Sequence, residues 1–182
     1  LPIPPNLEVL DISSTHVKGY LNSASNNDTI CIFPDNHLQS LDISYINQEE
    51  DVLNYVTGLK ELKVINMEGN DYHLPKSSKS WFSDMKMLQR VNFASNVLHI
   101  LSKDVFLQNE MISYLNLSNV GLNIIESDAL NHLLNLTILD ISNNNLEEHS
   151  FELDFSKTNL QYLHLQRNHF SSLSPSIRHK LE

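Results

Sequence analysis

The chain has 182 residues, 41% of them hydrophobic and 19% charged, enough for one ordinary domain with a sizeable core and short for two. Twelve Lys and Arg against 22 Asp and Glu leave a formal net charge of -10 with no basic run to offset it, which argues against nucleic acid and anionic membrane surfaces as partners. A single cysteine, Cys31, excludes a disulfide framework or a cysteine-based zinc site built from this chain alone, and neither an 18-residue apolar run nor a leader-like start is present.

The distribution of residues is less ordinary: 29 are Leu and 22 are Asn, whereas only four are Gly. Such a bias points to an internal repeat, and one runs the length of the chain. A motif of apolar, two residues, apolar, one residue, apolar recurs at Leu7/Leu10/Ile12, Leu38/Leu41/Ile43, Leu62/Ile65/Met67, Leu88/Val91/Phe93, Ile112/Leu115/Leu117, Leu136/Leu139/Ile141 and Leu160/Leu163/Leu165. The starts near 7, 38, 62, 88, 112, 136 and 160 are 24 residues apart except for 31 in the first interval and 26 in the third. Three residues after each triplet stand Thr15, Ile46, Asn70, Asn96, Val120, Asn144 and Asn168.

One such coil cannot bury its own apolar face, so successive coils stack and share a core. The period-two triplet predicts a short strand, Leu inward and polar residues outward, paired in parallel with its neighbours. Asn70, Asn96, Asn144 and Asn168 fall where the chain leaves the strand. There an amide that both donates and accepts satisfies backbone groups otherwise buried unpaired. Ile46 and Val120 lack that capacity, and local loosening or a compensating water is expected at their coils. Residues 19–37, with Asn26, Asn27, Asp28, Cys31 and Pro34, read as an irregular insertion, and two extra residues fall around Pro75 to Trp81. In the return halves, Leu101, Val105 and Phe106, then Ile125, Ala129, Leu130 and Leu133, suit a short helix or helical turn behind the strand.

The 24-residue period, with the strings LDIS at 41–44 and LDISNNNL at 139–146, resembles the leucine-rich repeats of Toll-like receptor ectodomains. The resemblance covers residues 7 to about 181; extracellular proteoglycan-type and neuronal adhesion proteins use similar repeats. It implies an α/β solenoid, a horseshoe with a short-stranded parallel sheet on the concave face and loops, turns or short helices on the convex face. It further implies that residues 1–182 form one repeat array from a longer receptor, an internal or membrane-proximal piece. The cysteine-rich caps, transmembrane helix and signalling domain of that family are not in this chain, so membrane contact would come only through them. The expected function is ligand recognition and dimerisation in an innate immune receptor, extracellular or luminal, with a microbial, endogenous or protein ligand and a homo- or heterodimeric partner. An extracellular adhesive or structural repeat protein, or an intracellular scaffold of the same fold, is the alternative.

In such a scaffold the outward side chains carry recognition. One outward row reads Val9, Ser40, Val64, Arg90, Tyr114, Ile138, Tyr162 and the next Asp11, Asp42, Asn66, Asn92, Asn116, Asp140, His164. Arg90, Tyr114, Ile138, Tyr162, His164 and Arg167 form the candidate binding surface, with Tyr114, Ile138 and Tyr162 as its anchor strip. Asn27, Asn116 and Asn135 each begin an N-glycosylation acceptor triplet. A glycan on Asn116 would cover Tyr114, two residues away on the same face. Cys31 either pairs outside this chain or stays buried as a small apolar residue. Nothing resembles a metalloprotease helix, a nucleophile elbow or a phosphate-binding loop, and His164 and His169 fall on either side of a turn, so no enzyme, metal or cofactor is expected.

Overall fold

The computed structural model describes residues 4–15, 37–46, 59–74, 82–150, 153, 155 and 157–171. Cys31, Asn27 and most of the 19–37 insertion lie outside them, as do residues 75–81 and 172–182. Strands β1 (Val9–Asp11), β2 (Ser40–Asp42), β3 (Val64–Asn66), β4 (Arg90–Asn92), β6 (Tyr114–Asn116), β8 (Ile138–Asp140) and β9 (Tyr162–His164) pair in that order into one parallel sheet. The register never slips: Leu10, Leu41, Ile65, Val91, Leu115, Leu139 and Leu163 are partners in turn, each flanked by two outward residues. Because the side-chain period is two, a one-residue slip would turn every core residue to solvent.

The first and last residues of each triplet join these in a single apolar column. Leu62, Leu88, Ile112 and Leu136 are fully buried, as are Met67, Phe93, Leu117 and Ile141. Behind them Phe82 stacks on Phe106 with ring centroids 5.3 Å apart and an interplanar angle of 19°.

Strands β1, β2, β3, β4, β6 and β8 end in the same turn. The side chain of the last strand residue accepts the amide two positions on: Ser13 to Asp11 at 2.9 Å, Ser44 to Asp42 at 2.9 Å, Ser118 to Asn116 at 3.0 Å and Ser142 to Asp140 at 2.9 Å. The residue after that enters the left-handed region, at Ser14, Tyr45, Gly69, Ser95, Asn119, Asn143 and Arg167. A short polar side chain bonded to nearby backbone is the usual means of holding such a turn.

The asparagines then tie coil to coil. Asn144 donates through Nδ2 to the carbonyls of Ile141 (3.0 Å) and Ser142 (3.2 Å) in its own coil and of Leu117 (2.9 Å) in the coil before. Its Oδ1 accepts the amides of Val120 and Leu122, both at 3.0 Å. Asn70 likewise accepts the Ile46 amide (2.8 Å) and donates to the Ile43 carbonyl (2.7 Å). The loosening expected at Ile46 and Val120 is therefore corrected: both are buried in the core, and the asparagine of the following coil satisfies their backbone. Where Val120 offers no amide oxygen to the coil before it, its own carbonyl accepts the Leu98 amide at 2.8 Å. In the neighbouring coils an asparagine Oδ1 takes that bond, from Tyr72 at 2.9 Å and from Leu146 at 3.1 Å.

The return halves begin extended at Leu101 and Ile125, where a short helix or helical turn is expected, and continue as turns. Strands β5 (Ile100–Leu101) and β7 (Ile124–Ile125) pair in parallel, Ile100 beside Ile124, as a second sheet. The chain stays extended there because the β-branched Ile100, Ile124 and Ile125 favour it and Leu101 and Ile125 are buried in the core. The stretches that follow are chained turns, such as Ala129 to Glu126 at 3.0 Å and Asn131 to Asp128 at 3.2 Å. Among the described residues the sole helix is one 3-10 turn, Glu148–Ser150.

Candidate functional site

The sheet register places Arg90, Tyr114, Ile138 and Tyr162 side by side on one outward row, each the direct partner of the next. Adjacent strands are about 4.8 Å apart, so their side chains form a continuous strip. The Arg90 guanidinium carbon lies 4.3 Å from the Tyr114 ring centroid, a cation–π contact that orients both. Tyr114 and Ile138 are half-buried by their neighbours, while Tyr162 is 58% exposed. His164 stands on the same face beside Asp140. Arg167 is the left-handed residue of the turn after β9, where it donates to Asn143 Oδ1 at 3.3 Å.

The second outward row, His164 apart, is committed to structure. Asp42 Oδ1 also accepts the Ser44 hydroxyl at 2.7 Å, and its Oδ2 accepts Asn66 Nδ2 at 2.9 Å. Glu68 accepts Asn92 Nδ2 at 2.9 Å and the Tyr45 hydroxyl at 2.5 Å. The Ser13 side chain and amide hold the Asp11 carboxyl below the usual carboxylate value. Asn116 sits mid-sheet in this row, whereas Asn135 is at a turn corner on the flank, its Nδ2 donating to the Glu110 carbonyl at 2.9 Å.

Several surface features escape the repeat pattern. Ile100 and Ile124 are exposed, and Ile100 borders a cavity of about 310 Å³ that also touches His73, Leu74 and Glu126. Met87, Met111 and Leu134 are exposed on the opposite flank. Their only sequence signal is an apolar residue at a repeat position that is charged in the third coil, Lys60-Glu61. Among the described residues no group of three or more His, Cys, Asp and Glu converges, and no helix is long and apolar enough to cross a membrane. The arrangement presents shape and aromatic surface, the means of recognition.

Residues 135–157 and 159–180 match the Leucine Rich Repeat family, and the parallel sheet with its asparagine turns extends the same construction through β1 to β9. The chain folds as a leucine-rich-repeat solenoid. Solved structures similar to this solenoid include a chain of the mouse RP105/MD-1 complex, at 24% identity and TM-score 0.67, over 84% of this chain and 26% of that one. A leucine-rich-repeat protein of Leptospira interrogans aligns at 28% identity and TM-score 0.64, over 80% of this chain and 34% of that one. An internalin from Listeria monocytogenes aligns at 24% identity and TM-score 0.50, over 77% and 45%. The solenoid thus spans about a quarter and about a third of the first two chains. No curated protein sequence matches it. Solenoids of this class are interaction scaffolds, with binding surfaces built from repeated outward positions.

Proposed function

We propose that the solenoid is the ligand-recognition and dimerisation segment of a Toll-like innate immune receptor, exposed outside the cell or in a lumen. It acts by binding and pairing. The observation that carries this reading is the in-register strip Arg90, Tyr114, Ile138, Tyr162, flanked by His164 and Arg167. The resemblance of the LDIS and LDISNNNL repeats to Toll-like ectodomains supports it, and the RP105/MD-1 likeness supports the fold on which it rests. A ligand that meets this strip better in the paired than in the separate state would shift the equilibrium toward pairing by its differential contact. The net charge of -10 disfavours nucleic acid through this segment.

Reporter cells carrying the full receptor, challenged with separate microbial lipid, sugar and protein fractions, test the reading. Ile138→Asp and Tyr162→Asp are expected to lower the response about tenfold or more at unchanged surface expression. An undiminished response in both variants would move recognition off the concave face. The second reading, an adhesive or structural extracellular protein that binds through the same strip, predicts binding without any response to clustering.

A further inference from the structure

On the flank where the chain enters each strand, four coils close the same tight turn. The amides of Leu62, Leu88, Ile112 and Leu136 donate to the carbonyls of Leu59, Met85, Asn109 and Leu133 at 3.2, 3.1, 3.1 and 3.0 Å. The first and fourth residues of each turn are buried, which pushes the two corner residues into water. In the third coil the corner is Lys60-Glu61, but the next three read Lys86-Met87, Glu110-Met111 and Leu134-Asn135. Met87 and Met111, at the second corner position, and Leu134, at the first, where the two coils before have Lys86 and Glu110, are accordingly 39%, 41% and 49% exposed, placing an exposed apolar side chain on this flank in each of three successive coils. Exposed apolar strips of that kind are covered in use or cause association.

Asn135 is the repeat equivalent of Met87 and Met111, adjoins Leu134 in sequence and is exposed. It heads the acceptor triplet Asn135-Leu136-Thr137. Its bond to the Glu110 carbonyl holds the side chain back toward the Met111 corner. We propose that Asn135 carries an N-linked oligosaccharide that lies over the Met87–Met111–Leu134 strip and closes this flank to protein contact. The inference rests on the extracellular or luminal location proposed above. In the coupling step Nδ2 displaces a lipid-linked diphosphate from C1 of the transferred sugar and loses one proton. The product is a secondary amide, and its remaining N–H still donates to Glu110. The sugar would begin at a turn corner, clear of the sheet, and the flexible methionine side chains adapt to the apolar faces of its rings.

Peptide mapping of the full-length protein secreted from animal cells, with enzymatic release in heavy-oxygen water to mark occupied asparagines, is the test. Asn135 is expected to be occupied. Trimming the glycan from the folded protein, and Asn135→Gln separately, are each expected to raise the fluorescence of an apolar-surface dye about twofold and to promote self-association. Met111→Gln added to Asn135→Gln should reverse both changes. An empty Asn135 beside an occupied Asn27 or Asn116 overturns the inference and leaves the location standing. Three empty acceptor sites overturn the location as well. An occupied Asn135 whose removal changes neither readout overturns the covering role.

Discussion

The ring of Tyr45 covers the Cα of Gly69: a Cβ added there would overlap the Cδ1–Cε1 edge of the ring, which the hydroxyl bond to Glu68 holds in place. Gly69 also has φ +70, where any other side chain is strained. Gly69→Ala is expected to cost about 2 kcal/mol by denaturant unfolding. In a Tyr45→Ser background the cost should fall by roughly half, leaving the backbone part. Equal costs in both backgrounds would show that the ring swings aside freely.

The same contact raises the Tyr45 phenol above its ordinary value of 10.0, chiefly through the hydrogen bond to Glu68. The neutral phenol donates to the carboxylate, and ionisation would set two anions side by side. A folded-state value above the unfolded one means that the contact stabilises below the ordinary tyrosine value and that this contribution disappears as pH rises through the raised value. Glu68→Gln should return the titration toward 10, followed by the ring-carbon resonance of Tyr45; an unshifted curve would deny the coupling.

Asn144→Ala strips acceptors from two buried amides, Val120 and Leu122, and a donor from three carbonyls. The loss should be about 2 to 5 kcal/mol, accompanied by faster amide exchange at Val120 and Leu122, in the coil that does not contain the mutation. Exchange enhanced only within residues 141–146 would contradict the arrangement.

Asn109 is fully buried at a position filled by Leu59, Met85 and Leu133 in other coils, and its Oδ1 has no partner among the described residues. Its Nδ2 donates to the Phe82 and Met85 carbonyls at 2.9 and 3.0 Å, yet those carbonyls also accept the amides of Met85 and Leu88. Asn109→Leu therefore removes an orphaned oxygen without orphaning its partners, and should stabilise by about 1 kcal/mol, roughly 3 °C in Tm. Asn109→Ala, which leaves a void, should destabilise.

The strands and their outward rows were readable because the period within a strand is two and the period between coils is 24, so that Leu115 and Leu139 announce each other. The support of Ile46 and Val120 was not readable from their own coils: the amide that serves each lies 24 residues on. The left-handed turn residues carry almost no compositional signal, since Tyr45 and Arg167 occupy the position that Gly69 and Asn119 fill more comfortably. The second sheet was hidden because Leu101, Val105 and Phe106 have a spacing that fits a helical turn, while extended Ile100 and Ile124 find each other only across coils. The register that aligns Arg90 with Tyr114 followed from the repeat; their cation–π contact depends on rotamers and did not.

The asparagine bonds also give the array a direction. Asn144 serves amides that precede it, and Asn70 and Asn168 do the same. A coil thus depends on its successor more than on its predecessor: release of the coil holding Asn144 takes the acceptor from two backbone amides, Val120 and Leu122, whereas release of the coil holding Val120 leaves Asn144 still donating to the Ile141 and Ser142 carbonyls of its own coil. Unfolding that begins at one coil should therefore pass more readily to the coil before it than to the coil after it, and partial opening would run one way along the solenoid.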